Sequence, residues 1–187
     1  MIGDYKGEVK YKVITALLQA YRDILDYDGM KSILKEAEML QLKNIREQDQ
    51  DRALDFFSFK KILSAQNCLL YKSSRLLFEI GKKLSFYLFP YGKNFNEIIK
   101  ELKTLIKTDW SVEILEIRQD FFSVQVKRCV FCTEIGVPCD LFKGFLVNSL
   151  EKSLPSKYRV VHSGEKNDTN DPHHHTFTVN LKIEKKY

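Results

Sequence analysis

The sequence predicts an α+β fold, an antiparallel sheet of about four strands with helices packed on one face. Three observations predict it. In the first half, apolar residues recur at three- and four-residue steps, which is the spacing of helices. From about residue 112, apolar and polar residues alternate, which is the spacing of strands. The helices come first, followed by strand, strand, helix, strand and strand, and such segregation is typical of α+β folds.

The N-terminal quarter predicts two helices and a connection. Apolar residues spaced along one helical face indicate a helix over residues 13–25 and a second over 30–40. Tyr27-Asp28-Gly29 predicts a break between them. The charged segment 43–54 predicts either a loop or an exposed helical connection.

The middle of the chain predicts the central helix. The pattern is helical over 56–89, and its wide apolar stripe indicates a helix covered on more than one side. Gly81 lies inside this stripe at a cost of about 1 kcal/mol relative to alanine, which suggests close packing there. Asn94 or Asn96 is a candidate cap for the next helix, over 97–107.

The C-terminal third supplies the sheet, because its apolar residues alternate with polar ones. A hairpin comes first, and a helix separates it from two later strands. The predicted segments are strands over 112–117 and 122–126, a helix from 138 or 140 to 154, a strand over 157–162, a polar loop over 164–172 and a strand over 175–183.

Length and charge restrict the function. A chain of 187 residues favours one compact unit, with residues 1–55 as a helical extension of an α+β domain over 56–187. The net charge of +5 is spread among acidic residues, so no basic stripe points to nucleic acid. No run of about 20 apolar residues predicts a membrane span. The N-terminus has no apolar signal-peptide core, so we expect a cytoplasmic protein.

The residues able to bind a metal are concentrated late in the chain. Cys129, Cys132 and Cys139 lie within eleven residues, and all four histidines lie within the fourteen residues 162–175. The two-residue separation in Cys129-Val130-Phe131-Cys132 lets both thiolates reach one tetrahedral ion. Clustered cysteines in a reducing compartment are more often metal ligands or redox groups than structural disulfides. Cys68 stands apart in a helical pattern and is predicted to be a buried small hydrophobe.

These residues predict a structural zinc site of Cys129, Cys132, Cys139 and His175. His175 is the first choice for the fourth ligand because it begins a strand, which fixes its direction. The alternates are His162, His173, His174, Glu165 and Asp168. Exposed loop histidines beside inert cysteines are the competing interpretation. A redox dithiol of the thioredoxin kind lacks the βαβ context that it needs.

Short motifs also suggest a family. They are Leu69-Leu70-Tyr71 through Gly81, Pro138-Cys139 followed by Gly144, and Gly164-Glu165 followed by His175-Thr176-Phe177. With these motifs the chain beyond about residue 60 resembles the 4-vinyl reductase domain, which is related in fold to TRAPP small subunits and bacterial phenol sensors. Asp168 and His175 stand where that family has cysteines.

The resemblance implies a domain that binds or senses a small hydrophobic or aromatic ligand, more than it implies an enzyme. Phe78, Phe86, Phe89, Phe142 and Phe145 are candidates to line a pocket, although such a stripe is more often ordinary core. Two alternatives stay open: a tetrapyrrole enzyme of the 4-vinyl reductase type and a TRAPP-like interaction module. A homodimer through the apolar helices of the first half is also expected.

Overall fold

The computed structural model describes residues 6–45, 49, 51–71, 73–90, 93–132, 139–167 and 175–186. The architecture is α+β, as predicted. The helices are α1 (Tyr11–Glu36), a short 3₁₀ helix (Leu40–Asn44), α2 (Phe56–Leu69), α3 (Ser74–Leu88), α4 (Phe95–Leu105) and α5 (Asp140–Lys152). The strands are β1 (Glu8–Lys10), β2 (Ala53–Asp55), β3 (Ile106–Lys107), β4 (Ser111–Arg118), β5 (Phe121–Lys127), β6 (Tyr158–Asn167) and β7 (Phe177–Lys185).

The main sheet has four antiparallel strands in the order β4-β5-β7-β6. The predicted hairpin of β4 and β5 forms one half of it, and β7 pairs with β5 on one side and β6 on the other. Val124, Val126, Val179 and Leu181 are fully buried at alternate positions of the two central strands. This alternation places one face of the sheet against the helices.

A second sheet was not predicted. The short strands β2, β1 and β3 pair in that order and join the two ends of the helical half. Strands of two or three residues carry no measurable alternation, so periodicity alone does not reveal them.

Helix α1 contains the predicted break, but one residue earlier than expected. Asp26 has φ 65° and ψ −175°, outside helical values, and its Oδ1 accepts a hydrogen bond from the Gly29 N–H at 2.9 Å. An aspartate in the left-handed region can form such a local bond with its own turn. The helix therefore resumes directly after the kink.

Helix α3 is covered on two sides, as its apolar stripe predicts, because it packs against both α1 and α5. Its contact with α5 is unusually close. A Cβ atom placed on Gly81 would lie 1.8 Å from the Leu141 carbonyl oxygen, and one on Gly144 would lie 2.0 Å from that of Phe78. Two glycines thus let the helix backbones touch, which confirms the close packing predicted at Gly81.

Two segments differ from their predictions, and one cap is confirmed. The helical stretch over 56–89 is interrupted between Leu69 and Ser74. Strand β6 continues to Asn167, so the loop expected over 164–172 is wrong at its start, and residues 168–174 lie outside the described residues. Asn94 forms a complete capping box with Glu97, which starts α4 two residues earlier than predicted.

The apolar faces expected to form a homodimer are used within one chain. Ile14 and Leu17 of α1 and Phe59 and Ile62 of α2 are fully buried without any partner chain. The homodimer prediction therefore has no support from these helices. The division of the chain at residue 55 stays a prediction.

Among the described residues, none of the helices is both long enough and apolar enough to cross a membrane.

Candidate functional site: a buried cluster of three thiols

Three of the four predicted metal ligands come together. The Sγ atoms of Cys129, Cys132 and Cys139 all lie within 4.8 Å of one another, and those of Cys129 and Cys139 are 3.5 Å apart. The three residues, which we call the thiol cluster, are only 3%, 5% and 6% exposed. None of them forms a disulfide.

Phe131 anchors the segment that carries two of the thiols. Its ring stacks on Phe142 of α5 at a centroid distance of 5.1 Å and meets Phe59 of α2 edge-on at 6.1 Å. Because this ring is inserted between the helices, Cys129 and Cys132 on either side of it are held at one place. The Cys129 N–H also donates to the His175 carbonyl oxygen at 3.0 Å, which ties the segment to the start of β7.

The third thiol belongs to the beginning of α5. Cys139 is the N-cap residue of that helix, and its carbonyl oxygen accepts from the Lys143 N–H at 3.0 Å. The first turn of a helix carries unpaired N–H groups and a partial positive charge, which stabilise a nearby thiolate. The predicted helix start thus places Cys139 beside these N–H groups.

Lys60 of α2 is the cation next to the cluster. Its Nζ donates to the carbonyl oxygens of Val130, at 3.1 Å, and of Cys132. It also lies over the Phe56 ring, 5.8 Å from the centroid. Lys60 precedes the cysteines by about seventy residues, and its position in a helical pattern gave no sign of this role.

The protonation states of these groups depend on one another. Burial raises the pKa of Cys129, but hydrogen bonds from Cys132 and Cys139 outweigh it and hold that pKa well below its usual value. The bond with Cys129 raises the pKa of Cys132, and burial raises that of Cys139. Burial lowers the pKa of Lys60, and the nearby sulfurs oppose this shift. The thiols and the Lys60 amine therefore titrate as one coupled group, in which Cys129 gives up its proton most readily of the three thiols.

His175 does not join the thiols. Its backbone is adjacent to Cys129, but among the described residues the set of mutually close donor atoms contains the three sulfurs and no ring nitrogen. His173, His174 and Asp168, the alternates in the preceding segment, lie outside the described residues.

The remaining alternates have other surroundings. The Glu165 carboxylate on β6 forms an ion pair with Lys143 Nζ at 2.9 Å, and the same ammonium group lies 2.6 Å from the Asp140 carboxylate. Lys143 is only 7% exposed, and its ion pairs with the partly buried Asp140 and Glu165 link α5 to β6. His162 is an exposed residue of β6.

Cys68 is exposed on α2, so its prediction as a buried hydrophobe is wrong.

The candidate pocket aromatics divide into core and surface. Phe89, Phe142 and Phe145 are buried, and the Phe145 ring contacts the other two. Phe86 is 38% exposed, and Phe78 is partly buried. Phe78 lines a surface groove of about 280 Å³ together with Val147, Val160 and Val161 and with the polar Lys82, Asn148, Glu151 and His162. The three buried rings are ordinary core.

This chain is similar in structure to several solved H-NOX domains. An oxygen-binding H-NOX domain related to soluble guanylate cyclases, in its oxygen complex, is similar at a TM-score of 0.59 and 12% identity over 96% of both chains. An Fe(II) unliganded mutant H-NOX protein from K. algicida is similar at a TM-score of 0.63 and 10% identity over 95% of this chain and 98% of the other. A third structure concerns modulation of heme redox potential through porphyrin distortion, at a TM-score of 0.59 and 14% identity.

No protein-family model matches the sequence, and no curated protein does either. The resemblance to 4-vinyl reductase domains and TRAPP subunits is therefore wrong, since the similar structures are of another family. The prediction of a zinc cofactor is also wrong. Heme is the metal group named for these similar structures, and the predicted histidine does not join the three described thiols. The chain has the fold of the H-NOX domains.

Proposed function

We propose that this chain is a small-ligand sensor domain whose binding centre is the thiol cluster. The observation that carries the proposal is three buried sulfur atoms within 4.8 Å of one another in a chain of H-NOX-like fold. The fold supports a sensor role because a similar domain is described as oxygen-binding and related to soluble guanylate cyclases, and the likeness extends over 96% of both chains.

The similar structures raise the question of heme, which needs an axial ligand. Protein ligands to heme iron are histidine, cysteine, methionine or tyrosine side chains. None of the four histidines lies in a described helix, since all fall within residues 162–175. The buried Tyr21 hydroxyl donates to Gln66 at 2.8 Å, and the cysteines contact one another.

Heme also needs a flat apolar slot beside that ligand, and the described interior next to the thiols is filled. Phe131, Phe142 and Phe145 stack in succession at centroid distances of 5.1 and 5.5 Å, and Trp110 meets Phe131 and Phe142 edge-on. Phe59 and Phe89 extend this group, which we call the aromatic core, at its two ends. Close-packed rings leave no room for a macrocycle without displacing them. The described residues beside the thiols therefore do not fit a heme.

Titration of the reduced protein with hemin is expected to give no saturable absorbance band at one heme per chain. The same titration of His175→Ala and Cys129→Ser variants should be indistinguishable from that of the wild type, because neither residue ligates iron. A saturating one-to-one band in the wild type that is lost in either variant would contradict our assignment of the binding centre.

The position of the thiol cluster supports a sensor role. Cys129 follows the central strand β5, Cys139 begins α5, and Lys60 reaches the cluster from α2. The Cys129 N–H···O=C bond connects the same point to the start of β7. A ligand that draws the three sulfurs together thus acts on both layers of the fold at once, which is the structural requirement for a local binding event to have a wider effect.

Hydrogen exchange with and without Cd(II), a thiol-binding probe ion, tests this role. We expect slower exchange, by about tenfold or more, in the first turn of α5, around Lys60 and at the start of β7, because a ligand bound only to the folded state suppresses local opening. The tip of the β4–β5 hairpin, at residues 117–121, is the internal control and should not change.

A Cys129→Ser/Cys139→Ser variant provides the matched control, since it keeps Cys132 and Cys68 but loses the cluster. Binding of Cd(II) by the wild type without any change of exchange in α2, α5 or β7 would contradict the sensor role. Equal protection in the variant would show that the ion acts elsewhere.

A further inference from the structure

We infer that Cys129, Cys132 and Cys139 form a three-thiolate site for one soft monovalent metal ion of the Cu(I) class. The inference rests on the proposed function, because it takes the thiol cluster as the binding centre and names its ligand.

The distances suit one ion bound by three sulfurs. Sulfur atoms bound at about 2.3 Å in a trigonal plane lie roughly 4 Å from one another. The sulfurs of Cys129 and Cys139 are 3.5 Å apart and every pair lies within 4.8 Å, so the separations are compatible with that value. Side-chain adjustments of less than about 1 Å therefore suffice, with Phe131 remaining in the aromatic core.

The donor set selects a soft ion. Thiolates prefer Cu(I) over the hard cations that oxygen ligands bind. Three donors complete the coordination of a monovalent d¹⁰ ion, whereas a closed tetrahedral site needs a fourth ligand. Among the described residues, the donor atoms that lie close to one another are the three sulfurs alone, since Lys143 holds Glu165 and the His175 ring lies outside the set.

The surroundings compensate the charge of such a complex. Three thiolates around a monovalent ion leave two negative charges, and the Lys60 ammonium group, fixed by the Val130 and Cys132 carbonyls, offsets one of them. Cys139 lies at the N-terminus of α5, which contributes a partial positive charge of about one half. The three cysteines are themselves buried, which restricts the access of water and oxidants and so protects Cu(I) from oxidation.

The test is an anaerobic titration of the reduced, untagged, full-length chain with Cu(I), delivered as its acetonitrile complex in competition with a chromophoric Cu(I) chelator. We expect one Cu(I) per chain and an X-ray absorption spectrum with three Cu–S contacts and no lighter donor atoms. A Cys129→Ser variant should bind at least about a hundredfold more weakly, because a direct ligand is lost. The spectrum of the wild type keeps the test decisive even if that variant folds poorly.

Two matched variants control for the remaining candidate donors. Cys68→Ser removes the exposed thiol and should leave the stoichiometry and affinity unchanged. His175→Ala should change the Cu(I) affinity by less than about threefold; a loss as large as that of Cys129→Ser would overturn the three-thiolate site. Nitrogen or oxygen donors in the X-ray absorption spectrum of the wild type would also overturn the three-thiolate site. A wild-type Cu(I) affinity no higher than that of Cys129→Ser would do the same.

The two proposals fail in different ways. Protection by Cd(II) without Cu(I) binding would refute the three-thiolate Cu(I) site and leave the sensor role standing. Tight Cu(I) binding that leaves hydrogen exchange in α2, α5 and β7 unchanged would establish the three-thiolate site and refute the sensor role.

Discussion

Replacing Gly81 with alanine is expected to lower the free energy of unfolding by about 3 kcal/mol or more, because overpacking at a backbone contact cannot relax by rotation of a side chain. The added Cβ would lie 1.8 Å from the Leu141 carbonyl oxygen and 2.9 Å from the Phe145 nitrogen. Helices α3 and α5 must therefore separate, although alanine has the higher helix propensity. Urea denaturation followed by circular dichroism measures the change.

The matched control is Arg75→Ala, on the exposed surface of the same helix, which should stay within about 0.5 kcal/mol of the wild type. Gly144→Ala should cost as much as Gly81→Ala, because its Cβ meets the Phe78 carbonyl oxygen across the same crossing. Once one alanine has separated the helices the second costs less, so the double variant should be less destabilised than the sum of the singles. An unchanged urea midpoint for Gly81→Ala would contradict the close approach.

Much of the fold could be predicted because its elements are long enough to show their period. The hairpin of β4 and β5, the cap at Asn94 and the helix after Cys139 follow from local patterns. Strand β6 extends beyond its prediction because it is an edge strand, with several exposed side chains and a bulge between His162 and Gly164. Such a strand has little of the alternation that burial on one face produces.

The candidate site was predicted only in part, and the missing part is long-range. The spacing of Cys129, Cys132 and Cys139 is local, so it revealed three sulfurs that the structure brings together. Lys60 reaches them because α2 packs against Phe131, a contact that no local pattern encodes. His175 was chosen from the start of a strand, and its backbone does lie beside Cys129. The imidazole ring of His175 does not join the sulfurs. The strand register fixes the position of the His175 backbone but constrains the direction of its side chain less closely.

The family assignment failed for a related reason. Its motifs were pairs and triplets of residues, and such short matches recur in unrelated chains. At 10–15% identity, the similarity to H-NOX domains resides in the packing of helices on a sheet, which many different sequences can satisfy. No residue pattern in the chain signals that arrangement by itself.

Phe142→Ala is expected to lower the free energy of unfolding by about 3–5 kcal/mol, since it removes a fully buried ring from the centre of the aromatic core. The ring touches Phe131 at 5.1 Å, Phe145 at 5.5 Å and Trp110 at 5.9 Å, measured between centroids. Thermal and urea unfolding measure the loss, and fluorescence of the single tryptophan, Trp110, reports the altered packing. Phe57→Ala is the control, because Phe57 is 52% exposed and should cost far less.

The same variant tests whether the wild-type interior is filled. An apolar cavity of the size of a phenyl ring stays dry and binds small aromatic molecules. Benzene should therefore raise the melting temperature of Phe142→Ala and leave that of the wild type and of Phe57→Ala unchanged. A rise of similar size in the wild type would mean that the aromatic core already holds a ligand-sized space, and the physical argument against heme would fail. A response confined to Phe142→Ala would mean that the chain's own rings occupy the space beside the thiols.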